Sequence, residues 1–202
     1  MTIDPQGANY PDVYKVLIGS IVPRPIAFVS TLSREGIRNL APFSFFTAVS
    51  ANPPVLAFCP TKRPGPHPYK DTLANVLATR EFVVNIVSEE FAEKMNMTSA
   101  EFPPDVDEFV VAGLTPIPSD VVKAPRVRES HVHMECKLLV TIDIGELPGG
   151  GTLVLGEVVR IHVDDEYFDS FRIDPAKLRA IGRMGGATYA RTTDRFDMIR
   201  PK

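Results

Sequence analysis

At 202 residues, with 44% hydrophobic and 23% charged residues, the chain is long enough to bury a core without metal or disulfide staples. A net charge of −3 and the lack of a long basic run exclude a broad nucleic-acid surface. No apolar stretch approaches the roughly 20 residues of a bilayer span, and MTIDPQGANYPD has no basic segment leading into an apolar run, so a single cytoplasmic domain over 1–202 is expected.

Nineteen prolines and no tryptophan predict a β-rich fold with long, punctuated connections. Apolar spacing over Val13–Gly19 predicts a short helix. Arg24-Pro25 then launches a strand over Ile26–Leu32, which turns over Glu35 and Gly36. Because proline gives no donor to a ladder, Pro42, Pro53 and Pro54 predict an irregular Asn39–Ser44 segment with free amides, and a further strand at Val55–Cys59. The small, hydroxylic and aromatic side chains here (Ser30, Thr31, Ser33, Asn39, Ala41, Ser44, Phe45, Phe46) suit a flat heterocycle with polar edges and apolar faces. They equally describe a plain connection between strands.

Pro60–Pro68 holds four prolines and reads as a loop, with Lys62, Arg63 and His67 forming either a cationic cluster or a solvated tip. A helix follows, with Asp71 or Thr72 as its N-cap. Its free amides beside Lys70 suit a phosphate as well as an ordinary cap. Glu81–Val87 is a strand, and Ser88 caps a helix over Glu89–Met97 in which Met95 and Met97 pack. Phe102–Pro125 is a proline-rich excursion of the kind that covers a barrel or a partner subunit. His131–Leu147 and Thr152–Val163 form a hairpin through Pro148–Gly151, and Asp174–Ala180 a helical turn. Gly182, Gly185 and Gly186 within Ile181–Tyr189 mark a close backbone approach or bulge.

Few residues announce chemistry by themselves. Strand alternation puts His131, His133 and Glu135 on one face, yet no further ligand motif accompanies them and no metal is expected. Cys59 ends a strand before a basic loop, which favours a reactive thiol if the loop lowers its pKa and a packing residue if it is buried; packing is the expectation. Cys136 is distant and outside any C-x-x-C spacing, as free thiols in a reducing compartment would be. No P-loop, dinucleotide fingerprint, G-x-S-x-G elbow or H-E-x-x-H helix is found.

In order, RPIAFVST, N-x-APFS, S-x-NPP, YKDT and IGRMGG-x-x-Y resemble the flavin reductase-like family of FMN-binding split barrels, over roughly Tyr14 to Thr192. The resemblance implies a mainly β fold with peripheral helices, a Greek-key split β-barrel that binds FMN as a homodimer. It further implies hydride transfer from NAD(P)H to flavin, which then serves an electron acceptor or a partner oxygenase. By that resemblance Ser30, Thr31, Asn39, Ala41, Ser44 and Phe45 line the flavin, with Cys59 on the neighbouring strand. Lys70, Asp71 and Thr72 lie towards its phosphate, and Arg183 with Tyr189 on the closing C-terminal strand. The flavin supplies the redox chemistry, so no catalytic side chain is assigned. One departure stands out: Gly150-Gly151-Thr152-Leu153 lacks the histidine that many such reductases carry near the nicotinamide. A flavoredoxin-like FMN electron carrier and a non-redox ligand-binding barrel therefore stay as alternatives.

Overall fold

The computed structural model describes residues 1–65 and 68–201. Helix α1 (Tyr10–Ser20) precedes strands β1 (Ala27–Leu32), β2 (Arg38–Phe43), β3 (Phe46–Ala51) and β4 (Pro54–Phe58). Helix α2 (Asp71–Thr79) and strand β5 (Glu81–Ile86) follow, then a 3-10 turn at Glu89–Phe91 that leads into α3 (Ala92–Met97). Next come α4 (Glu108–Ala112), the short strands β6 (Pro116–Ile117) and β7 (Arg126–Val127), and the long hairpin β8 (Val132–Ile144) and β9 (Gly151–Val163). The last stretch holds β10 (Phe168–Asp169), β11 (Arg172–Ile173), α5 (Pro175–Leu178), β12 (Ile181–Arg183) and β13 (Tyr189–Arg191).

Seven strands form one antiparallel sheet in the order β2-β1-β5-β8-β9-β4-β3. Its two edges, β2 and β3, are consecutive in the chain and only Ser44 and Phe45 separate them. Two residues span about 10 Å at most, so the sheet curls until its edges nearly meet. They do not pair, and the result is a barrel split along one seam. Inside lie Phe43, Phe58 and Phe82, with successive ring centroids 5.3 Å apart, and Leu73 and Val76 of α2 pack into the same core. A Cβ on Gly156 would sit 2.3 Å from Phe82 Cζ, so only glycine leaves room for that ring. On the outside of β1 and β2, helices α3 and α4 bury Phe28, Leu40, Met95 and Phe109 in a second core.

The expected irregular segment over Asn39–Ser44 is instead strand β2, paired with β1 across six residues. Proline is tolerated because β2 is an edge: Leu40 N–H points away from β1, to Glu108 Oε2 at 3.0 Å, and Pro42 shares that outward position. Phe46–Ala51, unanticipated as a strand, is the opposite edge. Neither Asp71 nor Thr72 caps α2; Lys70 holds the cap position without a side-chain bond, Asp71 pairs with Arg63, and Thr72 Oγ1 donates to Asn39. Ser88 precedes a 3-10 turn and its hydroxyl caps nothing. Met95 packs as expected but Met97 is half exposed.

The excursion over Phe102–Pro125 lies over the barrel, with Phe109 of α4 wholly buried. His131, His133 and Glu135 do not converge. His131 Nδ1 meets Asp164 at 2.9 Å, His133 Nε2 meets the Val127 carbonyl at 2.8 Å, and Glu135 accepts from the Asp120, Val121 and Val122 amides and bonds His162 Nε2. Glu135, His162 and Asp120 do bring ligand atoms within 4.8 Å of one another. Both Glu135 oxygens are already engaged, so this group works as a clip on the 118–122 loop.

Candidate functional site at the barrel seam

A cleft of about 250 Å³ opens where β2 leaves the sheet. One wall is the outer run of β2 through Ser44, and the facing wall is Met95–Phe102. Arg63 and the start of α2 (Lys70, Asp71, Thr72) lie along it, and Arg183 and Tyr189 from β12 and β13 complete the rim. Of the two unpaired sheet edges, β2 is the one that lines the cleft.

Asn39 is held from three sides. Its Oδ1 accepts from Thr72 Oγ1 at 2.8 Å and Thr31 Oγ1 at 3.3 Å, while its Nδ2 donates to Glu108 Oε1 at 2.7 Å. Burial pushes the Glu108 carboxyl above its usual pKa, against the pull of its own and Leu40's amides and of Asn39. This cluster fixes the wall of the cleft. The side chain of Asn39 is thereby spent on protein contacts.

The cationic end is differently arranged. Arg63 Nη2 pairs with Asp71 Oδ2 at 3.2 Å, but Arg63 Nε is buried with no hydrogen-bond partner among the described residues. Lys70 Nζ stands 5.5 Å from the centre of the Phe43 ring and, among the described residues, makes no ion pair. Burial first, and the neighbouring Arg63 second, pull the Lys70 ammonium below its usual pKa. Two cations that repel each other, one with an idle buried donor, form a seat for an anion. Opposite them, the Arg183 guanidinium lies 4.4 Å over the Tyr189 ring, whose hydroxyl donates to Asn96 Oδ1 at 3.0 Å.

Of the residues singled out by sequence, Asn39, Ala41, Ser44, Lys70, Asp71, Thr72, Arg183 and Tyr189 line this cleft, and four do not. Ser30 is fully buried and donates to the Pro125 carbonyl; Thr31 lies behind Asn39. Phe45 turns to Tyr14, ring centres 6.3 Å apart. Cys59 touches the hairpin turn, where a Cβ on Gly151 would be 2.4 Å from its Sγ, and burial raises the thiol pKa rather than the basic loop lowering it. Of the expected cationic cluster, Lys62 is buried beside Asp143 at 3.5 Å, away from the cleft, Arg63 lines it, and His67 lies outside the described residues. Sequence reading missed Arg24, Glu108 and the Met95–Phe102 wall. Their signal is weak because each meets the site through partners far along the chain: 69 positions separate Asn39 from Glu108.

Residues 18–177 match the model of the Flavin reductase like domain. The chain belongs to this family. Among solved structures, this flavin reductase-like protein is similar to nitrilotriacetate monooxygenase component B from Bacillus cereus, with 38% identity, 98% of each chain covered and a TM-score of 0.93. It is also similar to 2-nitrobenzoate 2-nitroreductase NbaA of Pseudomonas fluorescens, at 32% identity over 100% of this chain and 96% of that one, with a TM-score of 0.90. In fold alone it matches flavoredoxin of Desulfovibrio vulgaris (Miyazaki F): 21% identity, 98% and 97% coverage, TM-score 0.76. The seamed sheet is the split barrel of this family.

Proposed function

We propose that this flavin reductase-like protein, a single domain, binds FMN in the seam cleft and passes hydride from NAD(P)H to flavin. The observation that carries the reading is the buried Arg63 Nε, without a hydrogen-bond partner among the described residues, beside Lys70, which feels Glu101 but makes no ion pair among them, in a cleft that also presents Ala41, Phe43 and Ser44. FMN has the matching form, a phosphate dianion joined to a flat, largely apolar ring. Arg63 and Lys70 would hold the phosphate, with the start of α2 at Asp71 and Thr72 beside it; Ala41, Phe43 and Ser44 would flank the ring. Bound there, FMN would supply the two-electron chemistry. Protein groups orient it, screen it from water and carry compensating charge. The Leu40 amide is taken by Glu108 and the amides on the other side of β2 face the β1 ladder, so ring-edge recognition falls to Ser44 rather than to free β2 backbone.

Steady-state oxidation of NADH and NADPH, with and without added FMN, tests hydride transfer; turnover is expected with at least one nucleotide. Flavin binding without turnover of either would leave an FMN electron carrier. That second reading is favoured by the hairpin turn, where Gly149 and Gly150 bond Lys62 backbone and offer no titratable side chain.

The assembly we propose is a homodimer, and the two free thiols suit a reducing cytoplasm. No helix among the described residues is long and apolar enough to cross a membrane. Yet Leu139, Val140, Ile142 and Ile144 on the distal half of β8, and Tyr14, Val16 and Leu17 on α1, are each about half exposed. Exposed apolar side chains gathered on one strand and one helix are what a second copy of the chain would cover. Light scattering is expected to give twice the 22.2 kDa chain mass, and Ile142→Asp to shift it to the monomer. A monomeric wild-type protein would remove the assembly.

A further inference from the structure

Arg24 is 4% exposed and, among the described residues, has no carboxylate partner. Its guanidinium is held by backbone alone on one side: Nη1 donates to the Ile18 and Ile21 carbonyls at 2.6 and 3.0 Å, and Nη2 to the Met184 carbonyl at 3.1 Å. The remaining direction is Nε, which donates to Ser44 Oγ at 3.2 Å. Ser44 is the first residue past β2 and part of the cleft wall. Its oxygen therefore acts as acceptor towards Arg24, and its own O–H has no acceptor among the described residues. The hydroxyl is left as a donor to whatever fills the cleft, polarised from behind by a fixed cation.

Burying a guanidinium without an anion is costly, and Arg183 adds a second positive charge nearby. Backbone carbonyls offset part of that cost, and an anion in the cleft would offset more. On the reading that the cleft holds flavin, reduction brings such a charge: two electrons and one proton enter the ring, leaving it one unit more negative. We propose that Arg24, acting through Ser44, is the positioning residue that sets the reduction potential of the bound flavin, by favouring the reduced, anionic ring over the oxidised one. Ser44 carries the contact and Arg24 supplies the charge.

The test is the midpoint potential of FMN bound to full-length protein, measured with xanthine and xanthine oxidase against a reference dye. Ser44→Ala is expected to cost about tenfold in the preference for reduced over oxidised FMN, a fall of about 30 mV for a two-electron couple. Affinities for oxidised FMN and for riboflavin should change by the same factor. Arg24→Gln, which removes the charge, should lower the potential in the same direction, and Arg24→Lys, which keeps it, should lower it less; should these variants fail to fold, Ser44→Ala still decides whether the contact that carries the effect exists. An unchanged potential in FMN-loaded Ser44→Ala overturns the proposal. So does a loss of FMN affinity without loss of riboflavin affinity, since Ser44 would then contact the phosphate. Wild-type protein that takes up no flavin would overturn the cleft reading itself, and this inference with it.

Discussion

Glu135→Ala is expected to cost about 3–5 kcal/mol, the range for breaking one partner out of a buried charged cluster. That is a large share of the roughly 5–15 kcal/mol that holds a domain together. Glu135 is fully buried; its two oxygens take the amides of Asp120, Val121 and Val122 and the Nε2 of His162. Alanine would leave three backbone donors and an imidazole without their acceptor. Thermal unfolding followed by circular dichroism should drop by roughly 10 °C or more for a chain of this size. A shift under about 3 °C would show that the loop over 118–122 rearranges and that the clip is dispensable.

The same cluster makes the fold sensitive to acid. Burial alone would raise the Glu135 carboxyl, but the three amides and His162 outweigh it and bring its pKa down to about 2. A depressed carboxyl contributes stability that is present above its unfolded pKa of about 4.5 and is lost as pH falls towards 2. Burial lowers His133 to about 4, and the neutral ring is the form the fold accepts. Its contribution, up to about 3 kcal/mol, is complete above pH 6.5 and disappears as pH falls from 6.5 towards 4. Urea midpoints should therefore decline from pH 7 to 5 in the wild-type protein and less steeply in His133→Gln. Parallel slopes would remove His133 from the account.

Lys70→Ala is expected to weaken FMN by about 1.5–3 kcal/mol, up to roughly a hundredfold, while riboflavin affinity barely moves. The phosphate is the one group the two ligands do not share. Lys70 and Arg63 are the cations at that end of the cleft, and Arg63 alone is tied to a carboxylate, Asp71. Removing Arg63 would lose a guanidinium contact but also release Asp71, so Arg63→Ala should exceed Lys70→Ala in effect. Titration by flavin fluorescence quenching measures both. Equal losses for FMN and riboflavin would move the phosphate elsewhere and leave the seat at Arg63 without its anion.

How far the site was legible depends on how far apart its parts lie in the chain. The motif order over Tyr14–Thr192 pointed to the family, and the alternation through His131–Val163 marked the long hairpin, because both are local patterns. Asn39–Ser44 was misread for a physical reason. A proline forbids a central strand and permits an edge, and being an edge is a property of the finished sheet. Lys62 and Arg63 are adjacent and chemically similar, yet the first is buried beside Asp143 and the second lines the cleft. No composition rule separates them.

By itself, the sequence determined which segments extend, where they turn, and to which family the chain belongs, since those follow from spacing and from the order of short motifs. Only the tertiary structure decided that β2 and β3 face each other across a seam, that Glu108 closes on Asn39, and that Arg24 reaches Met184 some 160 positions on. Those contacts join residues that are neighbours solely once the sheet has curled. Among the described residues, the idle donor of Arg63 and the free hydroxyl of Ser44 exist for the same reason: a group is left over only after every other bond has found its partner.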